Sequence, residues 1–336
     1  MMTDSPVDEK AVSIPRHALM PLAALFLLLL AAIAVIAGRE YPRPAAQPQS
    51  QTASAGAALD AFADISLVGK AAVVIDLQTG KILYALNPDV QLPLASLAKV
   101  PLALAVYDVL PADTIITIPR DTAPRGSAER LAKGDLWRVQ DIIDFTLVSS
   151  SNEGAEILAG AANDAIRSQY ADAPESAAVV WRMNVLAEQL GLTRTYFLNA
   201  SGLDISPTLS GAYGSARDVA TLFGYAASQR LSVFSKTAGG SLSLTSADGK
   251  STAKAFNTNE VHGQIQGLMM GKTGITDLAG GNLAVVFDVG SAHPVVAVVL
   301  GSTREGRFSD MRQLVSKTRV AFAERSKNLA GARSGG

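Results

Sequence analysis

Three short runs in this chain carry groups that could supply an activated nucleophile and hold a carboxylate beside it. The first is Ser96-Leu97-Ala98-Lys99. A serine hydroxyl is a weak nucleophile until a base takes its proton. A lysine amine can be that base once burial or a neighbouring cation lowers its pKa. A spacing of three brings hydroxyl and amine onto one helical face, and a helix N-terminus favours developing negative charge. The second run, Ser150-Ser151-Asn152, falls at the break between two helical patterns. The third, Lys272-Thr273-Gly274, enters a late strand. There the glycine lets a ligand approach the backbone, while lysine and threonine offer cationic and hydroxyl donors to a carboxylate. Each run alone has an ordinary explanation: a capping serine with a surface lysine, an N-cap, and a strand-edge turn. In this order within one domain, they favour chemistry.

The rest of the composition narrows that chemistry. Cysteine is absent, so there is no disulfide and no thiol nucleophile. The histidines, His17, His262 and His293, are scattered without metal-ligand spacing, and the sequence calls for neither metal nor cofactor. A formal net charge of -1 with interspersed signs gives no electrostatic case for nucleic acid. With 336 residues, 48% of them hydrophobic, the chain is long enough for one large domain or two small ones.

Elements must hold the three runs together. β-branched content predicts a strand over Ala71 to Asp76, a QTGK turn and a returning strand over Ile82 to Leu86. An apolar helix is expected from about Ser96 to Leu110, with Pro101 inside it, so that helix must start late or bend. Apolar residues at three- and four-residue spacing predict helices over Val139 to Val148, Asn152 to Ile166, Glu175 to Leu190 and Ser215 to Arg230. Strands return at Ser241 to Thr245, Leu283 to Asp288 and Val295 to Leu300, and a helix from about Ser309 to Ala323 closes the domain. This pattern implies an α/β (α+β) fold: an antiparallel sheet built from both ends of the chain, flanked by helices, with an all-helical insertion.

The motif set and its surroundings resemble the serine D-alanyl-D-alanine carboxypeptidases, the low-molecular-mass penicillin-binding proteins of the DD-peptidase and β-lactamase superfamily. The resemblance runs from about Ala71 to about Val320. It includes DLQTGKILYALNPDVQLPLASLAK, MNVLAEQLGLTRTYFLNASGLD, SARDVATL, FNTN and GKTGITDLAGGNLAVV. It implies that Ser96 attacks the carbonyl between two terminal D-alanines of a peptidoglycan stem while Lys99 accepts its proton. Ser150 would relay a proton to the leaving amine, and Asn152 would hold Lys99 and the substrate backbone. Lys272, Thr273 and Gly274 would bind the terminal carboxylate, with Arg307 as a second contact. The N–H groups of Ser96 and Ile275 would form the oxyanion hole. β-Lactams are then expected as covalent inhibitors. A β-lactamase is the near rival, but TYFLNASGLD lacks the deacylating Glu that class A enzymes carry between the second and third motifs. A β-lactam sensor would need a signalling domain, and a catalytically silent wall-assembly partner would be expected to have lost a motif residue.

Outside that region, Ala18 to Gly38 is a run of uncharged, mostly apolar residues long enough to span a bilayer. A cleavable signal peptide is the alternative, but its apolar stretch is about 7–15 residues, so a retained anchor is favoured. The expected layout is a short cytoplasmic tail at 1–17, the anchor at 18–38 and a Pro/Gln/Ser-rich linker at 39–56. A catalytic domain over 57–325 outside the cell membrane and a flexible tail at 326–336 complete it. Many relatives instead end in a β-rich domain with an amphipathic anchor.

Overall fold

Near-continuous apolar, valine-rich runs early and late in the sequence build the main sheet. The computed structural model describes residues 61–120 and 130–334. Strands β1 (Ala71–Asp76) and β2 (Ile82–Leu86) form a hairpin whose turn uses Gly80 at φ 70°. Strand β3 (Leu92–Pro93) leads into a 3-10 turn, Ala95–Ala98, and helix α1 (Lys99–Val109). A small pair, β4 (Ile115–Thr117) and β5 (Leu136–Arg138), precedes helices α2 (Val139–Val148), α3 (Asn152–Gln169) and α4 (Ala178–Gln189). Strands β6 (Tyr196–Phe197) and β7 (Ala212–Gly214) join β3 in a second sheet, followed by helix α5 (Ala216–Phe234). After the hairpin β8 (Ser241–Thr245) and β9 (Thr252–Phe256), the chain returns through β10 (Leu268–Thr276), β11 (Gly280–Asp288) and β12 (Pro294–Ser302). It closes in helix α6 (Gly306–Ser334).

The main sheet runs β10-β11-β12-β1-β2 with every neighbour antiparallel. The first strand therefore lies beside the last, and the helices between them are the insertion that the pattern implies. Both faces are covered. Val73, Ala284 and Val298 share one core with Leu102 of α1, Leu158 of α3 and Phe223 of α5. Their sequence neighbours Val74, Val285 and Val299 turn to a second core with Phe308, Met311 and Leu314 of α6. Burying a valine side chain stabilises by about 1.5–3 kcal/mol, so the sheet is pinned from two sides.

Several elements differ from the sequence expectation. The helix expected from Ser96 begins as α-helix only at Lys99, and the preceding turn is 3-10. Pro101 is the physical reason: at the third helical position its missing N–H is one no helix partner would use. The Lys-Thr-Gly run lies within β10 rather than at its entry: Leu268 to Gly271 precede it in the strand, where Gly271 weakens the strand pattern. The closing helix runs on to Ser334, through a segment rich in Ala, Arg, Lys and Glu, all favourable in a helix interior. Residues 326–334, expected as tail, are thus helical. The expected cytoplasmic tail, anchor and linker at 1–56 lie outside the described residues. Among those described, no helix is long and apolar enough to cross a membrane.

Candidate active site

The turn that carries Ser96 is built under local strain. Ala95 sits at φ 49°, a left-handed conformation that L-residues rarely adopt, and this swings the chain from β3 into the 3-10 turn. Leu94, Ala95, Leu97 and Ala98 are buried, while Ser96 alone in the turn keeps partial access to solvent. With three residues per 3-10 turn, positions i and i+3 eclipse one another, which aligns Ser96 with Lys99 more closely than an α-helix would. Two neighbours approach the turn so closely that only glycine fits. A Cβ on Gly202, at φ 76°, would stand 1.9 Å from the Ala95 carbonyl oxygen. One on Gly274 would stand 2.7 Å from Leu94 O and 3.2 Å from Ser96 N. The buried Asn282 completes the support: its Nδ2 donates to Pro93 O at 3.0 Å and its Oδ1 accepts from the Gly301 amide at 2.8 Å.

Lys99 is wholly buried, and its amine has three oxygen neighbours: Ser96 Oγ at 2.7 Å, Asn152 Oδ1 at 2.8 Å and Ser201 O at 2.8 Å. Burial pulls its pKa down to about 7, against a smaller upward pull from Glu156. The neutral amine has two protons and one lone pair. The amide oxygen of Asn152 and the carbonyl of Ser201 can only accept, so they use both protons. That leaves the lone pair directed at the Ser96 hydroxyl, the arrangement a general base requires.

The second motif is placed by a change of role between adjacent residues. Ser151, not Ser150 or Asn152, caps α3, its hydroxyl accepting from the Gly154 amide at 3.0 Å. Asn152 can therefore turn its side chain to Lys99. Ser150, at φ 59°, brings its Oγ within 2.7 Å of Lys272 Nζ. The capping explanation of this run is thus correct for its middle residue alone.

In the third motif, Lys272 donates to Ser150 Oγ and, at 2.9 Å, to Thr273 O. Burial first, and then the charges of Lys99 and Arg307, hold its pKa well below the usual lysine range. Thr273 is buried, with its Oγ1 2.5 Å from Thr258 Oγ1. Ile275, next along β10, is partly buried. Arg307, near the start of α6, is buried rather than solvated and donates from Nη1 to Gly274 O at 2.9 Å. Its pKa falls to about 10, chiefly through burial.

The side chains thus fall into two hydrogen-bonded groups, Ser96–Lys99–Asn152 and Ser150–Lys272, the second continued through the Thr273 carbonyl, and Lys99 acts electrostatically on Lys272. Sequence reasoning missed the Ser201 carbonyl, Thr258 and Asn282. NASGLD and FNTN contain the first two, and the glycine of NASGLD was the available signal. Asp204 ties that loop to β10 and the following turn, accepting from Thr276 Oγ1 at 2.9 Å and the Leu278 amide at 3.1 Å.

Known proteins of similar sequence carry this arrangement's likeness further. Residues 57–304 match the family described as D-alanyl-D-alanine carboxypeptidase. A D-alanyl-D-alanine endopeptidase of Pseudomonas aeruginosa is 30% identical over 307 residues, covering 89% of this chain and 87% of the relative. A D-alanyl-D-alanine carboxypeptidase of Mycobacterium tuberculosis is 30% identical over 236 residues, covering 70% and 75%. A penicillin-binding protein of Listeria monocytogenes, solved with cefotaxime bound, superposes with TM-score 0.63 at 29% identity, covering 77% of this chain and 99% of that one.

Proposed function

This chain belongs to the D-alanyl-D-alanine carboxypeptidase family, and from that premise we propose that it removes the terminal D-alanine of peptidoglycan stems through an acyl-enzyme on Ser96. The carrying observation is the Lys99 amine, buried among two obligatory acceptors and the Ser96 hydroxyl. Ser96 Oγ attacks the carbonyl carbon of the penultimate residue as its proton passes to Lys99 Nζ. The oxyanion is held by the N–H groups of Ser96 and Ile275. The C–N bond then breaks, Ser150 gives its proton to the leaving amine and Lys272 resupplies it across their contact. The proton that Lys99 took from Ser96 replaces the one Lys272 gave, so both amines return to their starting forms. Water takes the place of the amine in the second half, with Lys99 again as base, and returns Ser96 free. Thr273 and Lys272 grip the carboxylate of the departing D-alanine, and Arg307 adds positive charge beside Gly274. An arriving carboxylate favours the charged form of Lys272, which burial alone disfavours.

The Pseudomonas relative's name supports a second reading, cleavage of the same bond type within a cross-link between stems. Incubating the protein with a pentapeptide stem and with a cross-linked dimer separates the two. Released D-alanine from the first supports the carboxypeptidase; cleaved dimer with intact pentapeptide supports the endopeptidase. Absence of both products would reject the catalytic reading. The length of the Ala18–Gly38 run supports a single-pass anchor with the domain outside the cell membrane. A mature protein that begins beyond Gly38 and washes off membranes would overturn the anchor in favour of a cleaved signal peptide, with the domain still exported.

A further inference from the structure

One hydroxyl next to the carboxylate grip has no role in the mechanism above. Thr258 Oγ1 lies 2.5 Å from Thr273 Oγ1, and the Thr258 amide donates to the Val148 carbonyl at 3.2 Å, two residues before Ser150. Thr258 therefore bridges the second and third motifs. Its own position is fixed by the flanking asparagine. Asn257 Nδ2 donates to the carbonyls of Thr237 and Gly239 at 2.8 and 2.6 Å, and its Oδ1 accepts from the Asn259 amide at 2.8 Å. Thr237 in turn accepts from the Gly271 amide of β10 at 3.0 Å.

A hydroxyl carries a single proton. If Thr273 gives its proton to Thr258, it can only accept, and a carboxylate offers nothing to accept. If Thr258 donates, the Thr273 proton is left for the ligand. We infer that Thr258 is a positioning residue: it donates to Thr273 Oγ1 and so directs the Thr273 proton at the substrate's terminal carboxylate. Hydrogen bonds in such a series polarise one another, which strengthens the terminal contact. The inference rests on the carboxylate reading of Thr273 and adds the group that sets its direction.

The test compares kcat/KM of wild type, Thr258→Val, Thr258→Ser, Thr273→Val and the Thr258→Val/Thr273→Val pair on a pentapeptide stem with a free or an amidated C-terminus. Valine keeps the shape and the backbone bond to Val148 but removes the hydroxyl. The expected result is a loss of about 3–10-fold on the free acid, the worth of one ordinary hydrogen bond, with the amide nearly unchanged. Serine at 258 restores the rate, and Thr258→Val adds nothing to Thr273→Val. Equal losses on acid and amide, unrescued by serine, overturn the inference in favour of a structural role. Full retention of the acid preference in Thr258→Val overturns it as well. A wild-type enzyme indifferent to amidation removes the carboxylate reading of Thr273, and this inference with it.

Discussion

At the scale of single residues, the decisive feature is an amine whose proton burial has made easier to lose, so that it is part neutral near neutral pH. An exposed lysine would hold its proton up to about pH 10 and could not take one from serine. Lys99, with its pKa down to about 7, is part neutral under ordinary conditions. The sign follows: lowering the pH below about 7 protonates Lys99, occupies the lone pair that faces Ser96 and slows acylation. The acylation rate by a β-lactam is therefore expected to fall on the acid side with an apparent pKa near 7. Lys99→Ala should lose roughly 100- to 10,000-fold and with it that acid limb. Stopped-flow acylation across pH measures both, and an unchanged limb in Lys99→Ala would move the base elsewhere. The types and spacing of Ser96 and Lys99 were readable because they are contiguous in the chain. The Ser201 carbonyl was not, because every residue carries a carbonyl and only tertiary placement distinguishes this one.

At the scale of elements, the site depends on close backbone approaches more than on any one helix. The 3-10 turn, β10 and the NASGLD loop meet at Ala95, with Gly202 and Gly274 as the points of contact. Gly202→Ala is expected to cost well over 1 kcal/mol, since the new methyl meets backbone at 1.9 Å in a left-handed conformation. Because Ser201 is its neighbour, the variant should also slow acylation. Thermal melting together with acylation kinetics checks this; a variant that melts lower yet acylates normally would show the loop to be structural only. Pro101 was legible as the reason for a late helix start, since its chemistry forbids an interior position. The extent of β10 was not, because glycines chosen for close approach erase the apolar alternation that marks a strand. The middle helices were legible because apolar residues recur in each at three- and four-residue spacing, even though Val139–Val148 is buried nearly all round.

At the scale of the whole molecule, the order of strands explains how residues 96 and 272 come to share a site. Placing β1 beside β12 folds the two ends of the chain into one sheet, and β10 becomes the edge strand against which the Ser96 turn packs. That layout was legible from strands at both ends and helices between. The pairing order was not, because antiparallel strands of similar valine content could neighbour one another in several ways. The central claim is that this assembly makes Ser96 a covalent nucleophile. Intact-mass measurement after incubation with a penicillin tests it most directly, comparing wild type with Ser96→Ala. The account predicts one added drug mass in the wild type, mapped to Ser96, and none in the variant. An equal mass gain in Ser96→Ala would contradict it.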